Sequence, residues 1–194
     1  MKNAFAIGLL IIIGSFSWGQ IPIDSFHYYS LSEVKSADAD TIYGIDLTKE
    51  RLTELPKEIE HFKNLRGLKL SKNKLIQLPE FFTSLKSLEF LYLNRNKFTH
   101  FPAAVFHLEN LVYLDISRNK MSSIPAGIKN LKKLKYLDVW DNRFLSIDPG
   151  FAELQQLEFI DFRGTTFSTA FVEQWTTAFP NTVVKFDNPC NCLD

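Results

Sequence analysis

Residues 65–75 read LRGLKLSKNKL, and the residues after them place Leu-Pro at positions 78 and 79, Phe at 82 and Leu at 85. Two later stretches repeat the arrangement, since residues 88–98 read LEFLYLNRNKF and residues 111–121 read LVYLDISRNKM. The shared pattern is L-x-x-L-x-L-x-x-N-x-L-x-x-L-P-x-x-I-x-x-L-x-x. Self-similarity at a fixed period predicts an architecture of stacked repeats.

The period is 23 residues and does not slip along the chain. The first position of each unit holds an aliphatic residue, and successive numbers in this series differ by 23: Ile42, Leu65, Leu88, Leu111, Leu134 and Leu157. Apolar residues at the fourth and sixth positions alternate with polar ones, which predicts a short half-buried strand. One unit alone cannot bury its apolar face, so stacking against its neighbours must supply the core.

The Asn and Pro positions predict how the chain leaves each strand and returns. Buried Asn side chains satisfy loop backbone groups, which predicts a structural ladder of Asn73, Asn96, Asn119 and Asn142. Proline suits an extended outer arc, because it has no amide to donate there. The terminal units depart from the pattern, with Glu50 and Thr165 at the Asn position, and the fifth unit moves its proline to Pro149.

This motif resembles that of the leucine-rich-repeat family, in its 23-residue form with Leu-Pro on the outer arc. Five units fit closely and a sixth fits in part, so the resemblance covers about two thirds of the chain. It implies an α/β solenoid with a curved parallel β-sheet on the concave side and short extended or 3-10 segments on the convex side.

The predicted domain organisation is a signal peptide at residues 1–19, an N-terminal cap at 20–41, repeats at 42–167 and a C-terminal cap at 168–194. Lys2, an apolar run over residues 4–13 and small residues before Gln20 are typical of a secretory signal. The alternative is a membrane anchor, but the run is shorter than the ~20 residues that a span needs. We therefore expect a secreted, periplasmic or cell-surface protein without a transmembrane span after cleavage.

Both ends of the repeat array carry patterns of short helices. Residues 30–37 place Leu31 and Val34 on one face, and Ser30 and Glu33 have the spacing of a capping box. Near the other end, Phe171, Trp175 and Phe179 recur every four residues, which predicts a helix with an aromatic stripe. Pro180 ends this helix, and residues 182–186 then suit a last strand.

The two cysteines, Cys190 and Cys192, exclude a scaffold held together by many disulfides. The stretch around them loosely resembles the opening of the cysteine-rich cap of extracellular leucine-rich-repeat proteins, without its later cysteines. A local bridge, two free thiols and an intermolecular bridge all stay open.

Composition and motifs argue against an enzyme. The net charge is zero, so no overall field recruits nucleic acid or an anionic membrane. The four histidines fall at unrelated repeat positions, and no nucleophile-elbow, zinc-protease or phosphate-loop motif occurs. We expect no catalytic residue, no cofactor and no metal site.

The concave face carries the candidate binding residues. Strand alternation points the third, fifth and seventh residues of each unit into the bend, and the eighth joins them. Gly44 and Gly67 leave the N-terminal end of the third-position row empty, whereas later units hold aromatic residues there. The predicted partner-binding set is Phe90, Tyr92, Arg95, Tyr113, Asp115, Arg118, Tyr136, Asp138, Trp140, Phe159, Asp161 and Arg163.

Exposed aromatic patches mark interaction sites, so this set favours binding of a protein or peptide. Aromatic pairs that merely stabilise the sheet are the alternative. A second functional hypothesis is a glycan or acidic-polysaccharide binder, which uses the aromatic and Asp side chains or the basic row that follows the Asn positions. That row consists of Arg51, Lys74, Lys97, Lys120 and Arg143. A structural or self-assembling envelope protein is the third.

The fifth-position acids Asp115, Asp138 and Asp161 repel one another at strand spacing, by about 1 kcal/mol in a watery dielectric. They either recruit a cation such as calcium or are screened by basic neighbours. The predicted screening residues are Arg95, Arg118, Lys135 and Arg163.

Overall fold

The computed structural model describes residues 25–34 and 38–188. The predicted signal peptide and both cysteines lie outside the described residues. The same holds for residues 20–24 and 35–37 of the predicted N-terminal cap.

Eight strands form one parallel sheet in the order β1-β2-β3-β4-β5-β7-β9-β10. Their bounds are β1 Tyr29–Ser30, β2 Gly44–Asp46, β3 Gly67–Lys69, β4 Phe90–Tyr92, β5 Tyr113–Asp115, β7 Tyr136–Asp138, β9 Phe159–Asp161 and β10 Val183–Lys185. The period fixes the register, since Leu68 pairs with Leu91 and Leu91 pairs with Leu114. The predicted leucine-rich-repeat solenoid is confirmed.

On the convex side the chain returns through one 3-10 helix in each of the first five units: Lys57–His61, Glu80–Ser84, Ala103–His107, Ala126–Asn130 and Pro149–Glu153. In four of them a proline precedes the helix, and its carbonyl accepts the amide three residues further on; Pro79 O, for example, lies 3.0 Å from Phe82 N. Two short strands, β6 Ser123–Ile124 and β8 Ser146–Ile147, pair in parallel on this side.

The fifth unit keeps this geometry although its proline has moved. Asp148 replaces proline at the cap position, and its carboxylate accepts the Gly150 amide at 2.8 Å. Its carbonyl accepts the Phe151 amide at 2.9 Å, as the proline carbonyl does elsewhere. An Asp cap therefore compensates for the displaced proline.

The core lies between the sheet and the outer arc and consists of layers of aliphatic and aromatic side chains. The aliphatic residues at the first, fourth and sixth positions are almost entirely buried, as are the large rings of Phe82, Phe98, Phe151 and Phe162. Each layer contacts the next, so the array has one continuous core rather than several separate ones.

Four Asn side chains join neighbouring units through a repeated set of hydrogen bonds. Asn96 donates to Leu70 O and Leu93 O at 2.9 Å each, and its Oδ1 accepts the Leu75 amide at 3.0 Å. Asn73, Asn119 and Asn142 make the equivalent bonds, and all four side chains are buried. In the last unit Thr165 donates its hydroxyl to Asn142 O at 2.9 Å.

The N-terminal cap combines a helix with a strand that the sequence did not predict. Helix α1, Leu31–Val34, is only one turn within the described residues, and Val34 packs on the core. The Ser30 amide and hydroxyl both donate to Glu33 Oε2 at 2.7 Å, as the capping-box spacing predicts. Strand β1 precedes the helix and pairs with β2.

The C-terminal cap closes the core with the predicted aromatic helix, α2, Thr169–Ala178. Ser168 caps its first turn by accepting the Phe171 amide at 3.2 Å. Trp175 packs on Phe151 with ring centroids 5.5 Å apart, and Phe179 packs on the same ring at 5.1 Å. The predicted last strand is confirmed as β10, which pairs in parallel with β9.

No helix among the described residues is both long enough and apolar enough to cross a membrane.

Candidate binding site on the concave face

The parallel register brings the predicted concave residues into two rows that cross the sheet. The third-position row runs from Gly44 to Phe159, and the fifth-position row runs from Asp46 to Asp161. Tyr92 lies against Tyr113 with ring centroids 5.0 Å apart, and Tyr113 lies 6.4 Å from Tyr136. These rings come from strands of different units, so the stacking of repeats assembles the aromatic surface.

The N-terminal half of this face is covered, which corrects the expectation that Gly44 and Gly67 leave it empty. The segment before β1 crosses the two glycines, and the Phe26 ring lies 6.0 Å from the Phe90 ring. Phe90 is consequently buried. The Lys69 Nζ lies 3.5 Å from the centroid of Tyr28, so a cation–π contact also holds this segment in place.

The C-terminal half of the face forms a hollow of about 520 Å³. Its lining comes from β5, β7, β9 and β10 and from the turns that follow them: Tyr113, Tyr136, Asp138, Trp140, Phe159, Asp161, Arg163, Gly164, Val183, Lys185 and Asp187. Seven of the twelve predicted partner-binding residues are among these. The other five, Phe90, Tyr92, Arg95, Asp115 and Arg118, lie outside the hollow.

Asp138 is the least compensated acid of the hollow. Its Oδ1 accepts the Trp140 amide at 3.0 Å, and within the described residues its carboxylate forms no ion pair. Burial raises its pKa to about 7, and the neighbouring carboxylates of Asp115 and Asp161 add to the effect. Burial likewise raises the pKa of Asp115 above its ordinary value. The charge of the hollow therefore changes near neutral pH.

Of the four basic residues predicted to screen the acidic row, one pairs with it and two pair with other acids. Arg163 does pair with Asp161, with its Nη2 2.6 Å from Oδ2 and its Nε 2.9 Å from Oδ1. Arg118 instead pairs with Asp141 at 3.3 Å, and Lys135 pairs with Glu158 at 2.8 Å. Arg95 is in no ion pair of the described residues and is exposed. Only one of the four predicted screening contacts therefore forms.

No set of three or more His, Cys, Asp or Glu side chains in the described part of the chain is arranged to hold a metal ion. The three acids of the row instead accept backbone amides two residues further on, as Asp115 does from Ser117 at 3.0 Å. Asp at the fifth position therefore caps the turn that follows each strand.

A leucine rich repeat family model matches this sequence twice, over residues 41–98 and over residues 91–144. The two matches together cover more than half of the chain. The chain belongs to the leucine-rich-repeat family. Proteins of this family are typically interaction modules without catalytic activity.

Among solved structures, a leucine-rich-repeat protein of Leptospira interrogans matches with a TM-score of 0.57 and 23% sequence identity. The alignment covers 83% of this chain but only 54% of that protein, so the chain spans about half of its length. Likeness at this identity shows the fold and no more. No curated protein sequence matches the chain significantly.

Two further contacts fix the aromatic walls of this leucine-rich-repeat hollow. Tyr136 is buried, and its hydroxyl donates to Glu158 Oε2 at 2.6 Å. Burial and this hydrogen bond raise the pKa of Tyr136 to about 12. The Arg118 guanidinium lies 4.5 Å from the ring centroid of Trp140. Trp140 is thus held by its neighbours, which keeps the wall in place before any partner arrives.

The predicted binding set did not include four residues of the leucine-rich-repeat hollow: Gly164, which the eighth-position row contains, and Val183, Lys185 and Asp187. Val183 and Lys185 continue the third- and fifth-position rows on β10, where they pair with Phe159 and Asp161. Extending both rows to the predicted last strand would have found them. The Lys185 Nζ lies 5.2 Å from the Phe159 ring centroid, and Asp187 accepts the Gly164 amide at 2.6 Å.

Proposed function

We propose that this leucine-rich-repeat protein is a secreted or cell-surface module that binds a protein or peptide segment in the hollow of its concave face. The observation that carries the proposal is the hollow itself, about 520 Å³ in volume, with aromatic walls and both signs of charge. Binding sites combine a mainly apolar lining with a few placed polar groups, and their volumes fall within about 300–1,000 Å³.

The residue types favour a polypeptide partner. Tyr, Trp and Arg dominate the binding energy of protein interfaces, and the hollow contains all three in Tyr113, Trp140 and Arg163. The rigid rings of Tyr113 and Trp140 contribute contact area at a small entropic cost, because an aromatic side chain has few rotatable bonds. The carboxylate of Asp138, which has no ion-pair partner in the described part of the chain, complements a Lys or Arg side chain of the partner.

The N-terminal segment supports a peptide partner by analogy within the molecule. Residues 26–28 cross the first half of the concave face, with Phe26 and Tyr28 directed to the glycines and to Lys69. This face thus already accommodates a chain segment that places two aromatic side chains, Phe26 and Tyr28, against it. The hollow presents comparable chemistry at the other half.

The test is to select short peptides from a random display library on the wild-type protein and to measure their affinities by calorimetry. The variant Tyr113→Ala/Trp140→Ala removes two half-buried aromatic side chains that line the hollow. The control Ile76→Ala/Leu145→Ala removes two exposed apolar side chains away from the concave face. We expect the hollow variant to weaken binding by about tenfold or more and the control to leave it unchanged.

Two results would overturn the proposal. One is that the selected peptides bind the hollow variant as tightly as the wild type. The other is that no peptide is selected while a neutral oligosaccharide binds the wild type and not the hollow variant. That result would establish the glycan hypothesis instead. Circular dichroism and urea unfolding of both variants verify that they are folded.

A further inference from the structure

We propose that the edge of the solenoid where the strands end is a second binding site, for a linear acidic polysaccharide. We call this surface the basic edge and define it by two cations in each of three successive units: Lys72, Lys74, Arg95, Lys97, Arg118 and Lys120. It lies outside the hollow, so it does not depend on the function proposed for the concave face.

The basic edge concentrates positive charge on one surface of a chain whose net charge is zero. The turns after β3, β4 and β5 read SKNKLIQ at residues 71–77, NRNKFTH at 94–100 and SRNKMSS at 117–123. Each turn holds two cations, and the three turns contain no acidic residue. Lys49, Arg51 and Arg143 extend the row into the flanking units, where Glu50, Glu54 and Asp141 are the acidic residues of the same turns.

The backbone holds these cations in a regular array. The first cation of each turn donates its amide to the carbonyl of the next unit, as Lys72 does to Asn94 O at 2.9 Å and Arg95 does to Ser117 O at 3.0 Å. The second donates to the preceding unit, as Lys97 does to Leu75 O at 2.9 Å. Because these bonds repeat in each unit, equivalent cations of neighbouring units are separated by roughly the strand spacing of 4.8 Å.

The first cation of each turn occupies a backbone conformation that does not suit it. Lys72, Arg95 and Arg118 have φ of 58°, 56° and 53°, in the left-handed region that favours glycine. Gly164 holds the equivalent position in the last unit, with φ of 80°. A long basic side chain at this position costs the fold free energy that glycine avoids. Over the six units this position holds a cation four times, Asp141 once with φ of 53° and glycine once, so a basic side chain predominates there despite the strain.

Cations on the opposite edge, where the strands begin, form ion pairs or donate hydrogen bonds to side-chain or backbone oxygens, whereas most cations of the basic edge do neither. On the opposite edge, Arg66 pairs with Glu89 at 2.7 Å, and Lys132 pairs with Glu153 at 3.4 Å. Of the six residues of the basic edge, only Arg118 is in an ion pair of the described part of the chain. The remaining five are exposed. An unneutralised row of this kind attracts a polyanion.

The shape and composition of the basic edge favour a sugar chain over a nucleic acid. Single-stranded nucleic acids bind where aromatic rings stack on the bases. Phe98, the one Phe, Tyr or Trp of these turns, is fully buried in the core, and His100 is the other residue there with a ring. Duplex DNA carries one charge per about 1.7 Å of axis, far denser than this array. A polyuronate offers one carboxylate per sugar along an extended chain. Thr99 and Ser122, two residues after Lys97 and Lys120, supply hydroxyl groups that suit hydrogen bonds to its sugars.

The experiment measures binding of purified oligogalacturonate to the full chain by calorimetry, in buffers between about 50 and 200 mM salt. The test variant is Lys74→Gln/Lys97→Gln/Lys120→Gln. The matched control, Lys63→Gln/Lys86→Gln/Lys132→Gln, removes one lysine from each of three units on the opposite edge. Both variants change the net charge equally.

We expect the wild type to bind with an affinity that falls steeply as salt rises, the test variant to lose about tenfold or more, and the control to stay within about twofold. The hollow variant Tyr113→Ala/Trp140→Ala should bind oligogalacturonate as the wild type does, which separates this proposal from the first. The proposal is overturned if the wild type does not bind at low salt, if both lysine variants lose equally, or if oligo-dT binds more tightly than oligogalacturonate.

Discussion

Phe26 packs against Phe90 with ring centroids 6.0 Å apart, in the space that two glycines of the neighbouring strands leave open. A methyl group at Gly67 would overlap the Tyr28 hydroxyl and would lie 2.6 Å from the Phe26 ring. We predict that Gly67→Ala displaces the segment and lowers the free energy of unfolding by about 1–3 kcal/mol, measured in urea.

A double-mutant comparison tests the cause of that loss. In a Phe26→Ala/Tyr28→Ala background the overlapping side chains are gone, so Gly67→Ala should cost less than about 0.5 kcal/mol. An equal cost in both backgrounds would mean that the segment does not cover Gly67 in solution.

Asp138 gives the stability of the protein a pH dependence of defined sign. Its pKa is raised from the ordinary 3.8 to about 7, so between these values the folded protein binds a proton that the unfolded chain has released. Stability should therefore fall as the pH rises from about 4 through 7. Asp138→Asn keeps an oxygen for the Trp140 amide but carries no charge, so it should be more stable than the wild type by about 1–3 kcal/mol at pH 8.

The measurement is urea unfolding of both proteins at a series of pH values. Asp40→Asn, which removes an exposed carboxylate of the N-terminal cap, is the control and should follow the wild type throughout. If the curves of wild type and Asp138→Asn run parallel, burial does not shift this group.

Asn96 makes three hydrogen bonds to the backbones of two units, all in the buried interior. Asn96→Ala leaves one amide and two carbonyls without this partner, so we predict a loss of about 2–4 kcal/mol in the free energy of unfolding. Asn130→Ala removes an exposed amide and should change stability by less than about 0.5 kcal/mol. Similar effects of the two substitutions would contradict a stabilising ladder.

Trp175 contacts the rings of Phe151, Phe171 and Phe179 and closes the C-terminal end of the core. Trp175→Ala should cost about 3–5 kcal/mol. The loss should begin locally, because each unit contacts only its neighbours, so amides of α2 should exchange faster than those of β4. Glu173→Ala, on the exposed side of the same helix, serves as the control. Uniform acceleration over the whole chain would contradict a local role.

The period made the architecture predictable. Because each unit has the same length, pairing Leu68 with Leu91 also aligns Gly67 with Phe90 and Lys69 with Tyr92. The aromatic spacing of Phe171, Trp175 and Phe179 likewise carried the information for a helix with one buried face. Local patterns such as these determine which residues share a surface.

The cover over the first half of the concave face was not predictable in the same way. Gly44 and Gly67 indicate missing side-chain volume, but that volume is filled by Phe26 and Tyr28, which precede the repeats and belong to no period. The partners of the basic side chains were also missed. Arg118 reaches Asp141 rather than the acidic row, and this choice depends on side-chain conformations that strand alternation does not specify.

The Asn ladder has a consequence for how the length of this protein can change. Asn96 and Asn119 bond backbone groups 21 and 26 residues earlier in the chain, and the units before them offer the same groups at the same distances. Removing residues 88–110 as one block would give Asn119 the two partners that Asn96 has in the preceding unit, Leu75 N and Leu70 O, whereas removing one residue fewer would give it neither. Evolution and protein engineers can therefore lengthen or shorten the solenoid only in whole modules.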